Sequence, residues 1–264
     1  MATSKMKQQS HMAGDYEPEE EEESSAMSLI EHLEELRWRI FKALIAIVVG
    51  GIVAFIFRSQ IIQFLELPLP IQASTVLGLK TGHPLIITAL AEGFTVYLKL
   101  SLAGGFLLAL PVFLYQTWAF ISPGLYSREK KYAVPFIFVG IFLFLAGITL
   151  GYIVLRFPVA WLISIAADNF TPLLTADSYF TFVAFFMLAF GIVFEIPLIL
   201  TFLAQLGIVT SDTLKKKRAV AHVSMWIAAT FLTPGADIYS PVILGVAMSC
   251  LYELTILFIK FTKK

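Results

Sequence analysis

One acidic residue, Glu195, stands in the middle of a long apolar run, in the sequence Phe194-Glu195-Ile196-Pro197. If that run crosses a membrane, a charge at its centre costs about 2.5–3.5 kcal/mol on insertion scales, so the side chain faces protein or a wet cavity. Glu195 then either hydrogen-bonds a neighbouring helix, using backbone freed by Pro197, or serves substrate passage or the docking of a partner. The residues alone leave both interpretations open.

A second group of carboxylates lies near the amino end of the chain. Ser28-Leu29-Ile30-Glu31 has the capping-box pattern that predicts the start of a helix. Apolar residues then recur at helical spacing on one face, while acidic and basic residues, Glu35 and Arg37 among them, cover the remaining surface. This pattern fits a helix lying at a membrane interface, and equally a docking site for a cationic ligand.

A third carboxylate, Glu129, stands alone among the cations Arg128, Lys130 and Lys131. It either neutralises these neighbours or is held at the membrane surface for an arginine ligand. Guanidinium suits a carboxylate because its fork makes two parallel charge-assisted hydrogen bonds. Two further charged residues, Glu92 and Lys99, are seven positions apart, so they could pair across two helical turns or cap loop backbone.

The residue types for covalent or metal chemistry are scarce. The chain has one cysteine, Cys250, and four histidines without metal-ligand spacing. The sequence contains no nucleotide-binding or serine-hydrolase motif and no nucleophile–base pair. We therefore expect neither an enzyme nor a bound cofactor or metal, and the absence of a long basic surface argues against nucleic acid as a partner.

The composition indicates that helices in a membrane position these residues. Of the 264 residues, 58% are hydrophobic and 14% are charged, whereas soluble domains have about 25% charged residues. A membrane-spanning helix needs roughly 20 apolar residues. Six apolar segments are candidates, at residues 40–57, 94–121, 132–155, 179–206, 219–232 and 239–259.

Basic residues decide the orientation, because they mark the cytoplasmic side of short loops. Basic clusters precede the fifth segment and follow the sixth, so an even number of crossings lies between them, although the fifth segment is short. The consistent solution is six spans with both termini cytoplasmic. Residues 1–26, with an acidic run at 19–23, are expected to be a disordered cytoplasmic tail, and residues 27–264 to form one membrane domain. The loop at 58–91 is expected to cap the outer face.

Four sequence blocks resemble the TatC family, the multispanning receptor subunit of the twin-arginine protein translocase. The first is His32-Leu33-Glu34-Glu35-Leu36-Arg37, and the second runs from Leu110-Pro111-Val112-Phe113 to Ser122-Pro123-Gly124-Leu125-Tyr126. The third is Phe190-Gly191-Ile192-Val193-Phe194-Glu195-Ile196-Pro197, and the fourth is Leu232-Thr233-Pro234. The blocks occur in the family's order, and the resemblance covers residues 27–261.

The resemblance implies an all-α membrane fold of six transmembrane helices, shaped like a cupped hand, with two short final helices. It implies a receptor in the bacterial cytoplasmic membrane that binds the twin-arginine signal peptides of folded precursors and works with the proton gradient. The expected partners are single-span proteins of the TatA or TatB type, these signal peptides, the lipid bilayer and further copies of the chain.

The resemblance also carries over particular residues. It implies that Glu35, Arg37, Phe120 and Glu129 bind the signal peptide. It implies that Glu195 and Thr233 make intramembrane polar contacts with a partner. It also implies that Pro68 and Asp237 are functional positions in the outer loops. One departure is Pro241, where many relatives have glutamine, which puts in doubt the polar contact that glutamine would offer a partner helix.

A different class of protein also fits part of this pattern. A small secondary transporter could use Glu195 as a proton or ion site near the middle of the membrane. The sequence shows no inverted repeat of two three-helix halves, which counts against that alternative.

Overall fold

The apolar runs of the sequence fold as helices in a computed structural model, which describes residues 29–69, 85–121, 133–167, 173–233 and 237–262. An apolar helix satisfies its own backbone hydrogen bonds, as a membrane requires. The helices in the described residues are α1 (Leu29–Ile56), α2 (Arg58–Glu66), α3 (Glu92–Ile121), α4 (Ala133–Val154), α5 (Arg156–Ala167), α6 (Ala176–Phe194), α7 (Ile196–Gln205), α8 (Ser211–Lys216), α9 (Arg218–Leu232) and α10 (Tyr239–Thr262).

The chain divides into two units, Met1–Trp38 and Arg39–Lys264. In the first unit the described residues, 29–38, are all helical and form the start of α1. The predicted acidic tail at 1–26 lies outside the described residues. The second unit contains the rest of α1 and the other nine helices of the described chain.

Five helical stretches are long and apolar enough to cross a membrane, and α9 is a shorter apolar helix. The prediction of six spans is consistent with this count. With 15 residues, α9 is about 22 Å long, less than the roughly 30 Å hydrocarbon core of a bilayer. The expectation of two short final helices holds only for α9, because α10 continues for 24 residues to Thr262.

Glycines allow the closest helix contacts. A Cβ atom added to Gly147 of α4 would lie 2.5 Å from the carbonyl oxygen of Phe190 in α6. A Cβ atom at Gly105 of α3 would lie 2.5 Å from the backbone nitrogen of Gly51 in α1. Small residues let transmembrane helices approach until backbone meets backbone, and packing there supplies much of the association energy.

The fourth span is broken at Glu195. It covers Ala176–Gln205, but α6 ends at Phe194 and α7 begins at Ile196. Pro197 explains the break, because proline has no N–H to continue the hydrogen-bond ladder and its ring crowds the preceding turn. Glu195 is therefore displayed at a helix junction inside a span.

Candidate functional site

The Glu195 carboxylate lies where three helices meet. A Cβ atom at Gly140 of α4 would be 3.4 Å from Glu195 Oε2, and the same position faces Leu114 of α3 and Leu198 of α7. A Cβ atom at position 140 would lie 2.8 Å from Leu114 Cδ1 and 3.1 Å from Leu198 Cδ2, so the glycine lets these leucines pack closely beside the carboxylate. The surroundings of the acid are otherwise largely apolar.

One oxygen of this carboxylate is unsatisfied. Glu195 Oε1 is buried and has no hydrogen-bond partner among the residues that the structure describes. Buried polar atoms in proteins nearly always have a partner, so such an exception calls for a functional explanation. One interpretation of Glu195 was a hydrogen bond to a neighbouring helix. Within the described residues, Oε1 makes no such bond.

An apolar cleft of about 480 Å³ begins at Pro197, two residues beyond Glu195. Residues of α3, α4, α7 and α10 line it, among them Leu198, Thr201 and Leu254. Three of its aromatic side chains pack together, since the ring of Trp118 lies 4.9 Å from that of Phe136 and 5.3 Å from that of Phe202. The cleft offers shape and apolar surface, with few polar groups to select a ligand.

The predicted signal-peptide residues fall in different parts of the chain. In the first unit, Glu35 Oε2 lies 3.8 Å from Nδ1 of His32, and the Glu35 side chain is 17% exposed, while Arg37 is exposed. In the second unit, Phe120 is half-buried in the last turn of α3. Glu129 lies outside the described residues. The assignment of these four residues to one site stays a prediction.

Pro68 follows the end of α2, where two tyrosines hold the helix. The hydroxyl of Tyr179 donates to the carbonyl of Leu65 at 2.6 Å, and that of Tyr152 donates to the carbonyl of Phe64 at 2.8 Å. The Leu65 carbonyl would ordinarily accept from a backbone N–H three or four residues later. Pro68 has none to offer, and the N–H of Leu69 donates to Glu66 instead. The Tyr179 hydroxyl therefore supplies the hydrogen-bond donor that Pro68, which has no backbone N–H, cannot supply.

The same end of the bundle contains the capping arrangement around Glu92. Its Oε2 accepts from the backbone N–H of Thr88 at 2.6 Å and of Ala89 at 3.2 Å, and its Oε1 accepts from the N–H of Asp177 at 3.1 Å. Lys99 donates to the carboxylate of Asp177 at 2.6 Å. Of the two alternatives for Glu92 and Lys99, the structure shows the capping one, and the lysine takes a different carboxylate.

Asp237 caps α10. Its two oxygens accept from the backbone N–H and from the hydroxyl of Ser240, both at 2.6 Å, and Asp237 and Ser240 are buried. A carboxylate that binds the N–H three residues later is a strong helix N-cap. Thr233, at the end of α9, is also buried, and its hydroxyl donates to the carbonyl of Ala229 at 3.1 Å. The two predicted residues therefore mark the facing ends of the last two helices.

Sequence reasoning missed Tyr152, Tyr179 and Glu253 of α10. The signal available for Glu253 was its position inside an apolar run, the same signal that identified Glu195. The tyrosines carried no comparable signal, because Tyr179 and the backbone group it binds are 114 positions apart. In the described part of the chain, no three His, Cys, Asp or Glu side chains are grouped as a metal site.

Five long apolar spans, a shorter apolar helix and an acid held among them define a multi-pass membrane protein. The family model described as "Sec-independent protein translocase protein (TatC)" matches residues 31–246. This chain belongs to the TatC family. Membership makes it a protein translocase component and not an enzyme, and decides against the small ion-coupled transporter as the alternative.

Individual relatives agree with this assignment. The Sec-independent protein translocase protein TatC of Desulforapulum autotrophicum is 36% identical over 238 residues, which are 90% of this chain and 85% of the relative. That of Escherichia coli K12 is 34% identical, over 88% of each chain. A solved structure titled "Crystal Structure of Twin Arginine Translocase Receptor- TatC in DDM" has a TM-score of 0.73 and 33% identity, and covers 87% of this chain and 99% of its own. The all-α fold is thereby confirmed.

Proposed function

We propose that this chain is the receptor subunit of a twin-arginine translocase in the bacterial cytoplasmic membrane. It recognises folded precursors by their twin-arginine signal peptides and gathers single-span partners of the TatA or TatB type, with further copies of itself, for export driven by the proton gradient. Similarity to solved structures titled as the receptor supports this role. The basic clusters beside the spans favour cytoplasmic termini.

The domain division forms part of the proposal. Residues 27–264 are the translocase domain, and residues 1–26 are an acidic cytoplasmic tail. The family match, which begins at residue 31, supports this boundary. The tail has no assigned role in signal-peptide binding.

The proposed signal-peptide site consists of Glu35, Arg37, Phe120 and Glu129. The carboxylates of Glu35 and Glu129 receive the paired arginines by bidentate hydrogen bonds, and Phe120 offers an apolar surface beside them. Hydrogen bonds to charged groups contribute about 1.5–3 kcal/mol each, so one lost carboxylate weakens binding roughly 10- to 100-fold.

The proposed partner site centres on Glu195, and one observation carries it: the buried Glu195 Oε1 without a hydrogen-bond partner in the described chain. A donor on an incoming transmembrane helix would satisfy this oxygen. Interhelical hydrogen bonds in membranes contribute about 0.6 kcal/mol on average, and up to about 1.7 kcal/mol. Thr233, at the end of α9, is proposed as a separate polar contact with a partner, because its hydroxyl donates to the Ala229 carbonyl and its oxygen can still accept a hydrogen bond.

The signal-peptide site is tested by crosslinking a twin-arginine signal peptide to the full-length chain in membranes. Glu35→Ala and Glu129→Ala should each weaken the crosslink while the protein inserts normally. Glu34→Ala is the matched control, because Glu34 is exposed on the neighbouring face of the same helix. Unchanged crosslinking in the Glu35→Ala, Glu129→Ala double variant would overturn the site assignment.

The partner site needs a separate readout. Glu195→Ala should reduce copurification of the single-span partners, and transport, more than it reduces signal-peptide crosslinking. Glu195→Gln should retain part of the assembly, because an amide can still accept a hydrogen bond. Equal loss of signal-peptide binding and partner assembly in Glu195→Ala would contradict the assignment.

A further inference from the structure

A second acid lies within a span, and it is fully partnered. Glu253 belongs to the stretch Tyr239–Phe261. Its Oε2 accepts from Arg218 Nη2 of α9 at 2.5 Å, and its Oε1 lies 3.2 Å from Nε2 of His222, also of α9. Nδ1 of His222 in turn lies 3.1 Å from the hydroxyl of Ser249 on α10. This arrangement contrasts with Glu195, whose Oε1 has no partner in the described chain.

One tautomer of a neutral His222 satisfies every hydrogen bond of the cluster. The Nε2–H of His222 then donates to Glu253, and its Nδ1 accepts from the Ser249 hydroxyl, so both ring nitrogens are used. The charges of Arg218 and Glu253 cancel. Ionisable groups persist in a membrane when they are paired and hydrogen-bonded, and a partly satisfied cluster would be costly.

The contacts follow a strict antiparallel order. On α9, Arg218, His222 and Trp226 succeed one another at four-residue intervals, and on α10 Glu253, Ser249 and Gly245 do the same in reverse. The third contact is apolar, because a Cβ atom at Gly245 would come within 3.0 Å of the Trp226 indole. These three contacts, one turn apart, form a ladder between the two helices.

We propose that Arg218, His222 and Glu253 are positioning residues that set the register of α9 against α10. The short α9 needs such a device, since its apolar surface alone does not fix its depth in a bilayer thicker than the helix is long. A slip of one turn would separate Arg218 from Glu253 and Trp226 from its glycine. No register displaced by one turn satisfies the same groups.

The register fixes where Thr233 and Asp237 lie, at the facing ends of the two helices. That Thr233 placed in this way contacts a partner rests on the proposed function, whereas the register of α9 against α10 does not. A contact within one chain can therefore test it without signal peptide or partner.

The test is disulfide formation one turn further along the two helices, where the four-residue spacing of the ladder places position 230 of α9 opposite position 241 of α10, between Thr230→Cys and Pro241→Cys. It uses the full-length chain in native membranes, with Cys250→Ser to remove the natural thiol. Arg218→Glu or Glu253→Arg should lower the crosslinking rate about two- to fivefold, as expected for a partly exposed ion pair. The charge-swapped double variant should return the rate to within about twofold of the parent, because it restores the pair.

The surface pair of Asp212 and Lys215, 3.2 Å apart on α8, is the matched control, and exchanging these two residues should leave the rate unchanged. An unchanged rate in both single variants would overturn the proposal, as would a swapped variant that fails to recover. If a single variant does not accumulate, accumulation is measured instead. Recovery of accumulation by the swap then supports the proposal, and no recovery overturns it.

Discussion

Tyr179→Phe should destabilise the protein by removing one hydroxyl from the end of α2. The lost hydrogen bond reaches the buried carbonyl of Leu65 at 2.6 Å, and Pro68 cannot replace the donor. A buried acceptor left without a partner costs about 1–3 kcal/mol. For a domain of this size that corresponds to a fall in melting temperature of roughly 2–12 °C.

Tyr152→Phe is the matched comparison. Its hydroxyl binds the carbonyl of Phe64, which is more exposed and also accepts from the N–H of Leu67 at 3.4 Å. The expected cost is therefore at most about 1 kcal/mol. Thermal melting of the purified full-length protein in one detergent measures both variants. If Tyr152→Phe lowers the melting temperature as much as Tyr179→Phe or more, the reasoning is refuted.

Pro68→Ala sharpens the test, because it gives position 68 a backbone N–H that can reach the Leu65 carbonyl. In that background Tyr179→Phe should cost less than in the parent, by at least about 0.5 kcal/mol of coupling. If the effects of Pro68→Ala and Tyr179→Phe on stability are additive, the missing N–H of Pro68 is not the reason that the Leu65 carbonyl depends on the Tyr179 hydroxyl.

Two further substitutions test the packing and the capping. Gly105→Leu should lower the melting temperature by the equivalent of about 1–3 kcal/mol, since any Cβ there would meet Gly51 at 2.5 Å. Gly93→Ala, whose Cβ would come no closer than 3.4 Å to a neighbour, is its control, and equal melting temperatures would contradict the prediction. Asp237→Ala should cost about 0.5–2 kcal/mol through loss of the cap on Ser240, measured by the same melting assay. Asp237→Asn should retain most of that stability, and equal costs for the two would argue against capping.

Hydropathy and charge predicted the spans well, because a membrane helix needs only a sufficiently long apolar run. They also placed Glu195 inside the fourth span, where the structure has it. The break at that residue depends on local backbone chemistry, which the nearby Pro197 supplies.

The contacts between helices could not be predicted in the same way, since hydropathy does not say which helices are neighbours. The hydrogen bond of Tyr179 to Leu65 and the contact of Arg218 with Glu253 depend on tertiary packing. For Glu92 and Lys99, the sequence offered two alternatives, and it could not show that Asp177 of α6 donates its N–H to Glu92 and accepts from Lys99. Glu129 lies beyond the described residues, so its role is still a prediction from the sequence.

The most direct test of the receptor role compares two signal peptides on one probe-bearing form of the full-length chain. A photo-crosslinker at position 120 of the full-length protein, in membranes, should capture a precursor with paired arginines, and capture should fall at least about tenfold when both are lysines, since lysine cannot make the bidentate contact. The same probe at position 195 should show a smaller dependence on the arginine pair. Equal capture of the arginine and lysine precursors at position 120 would contradict the proposed site.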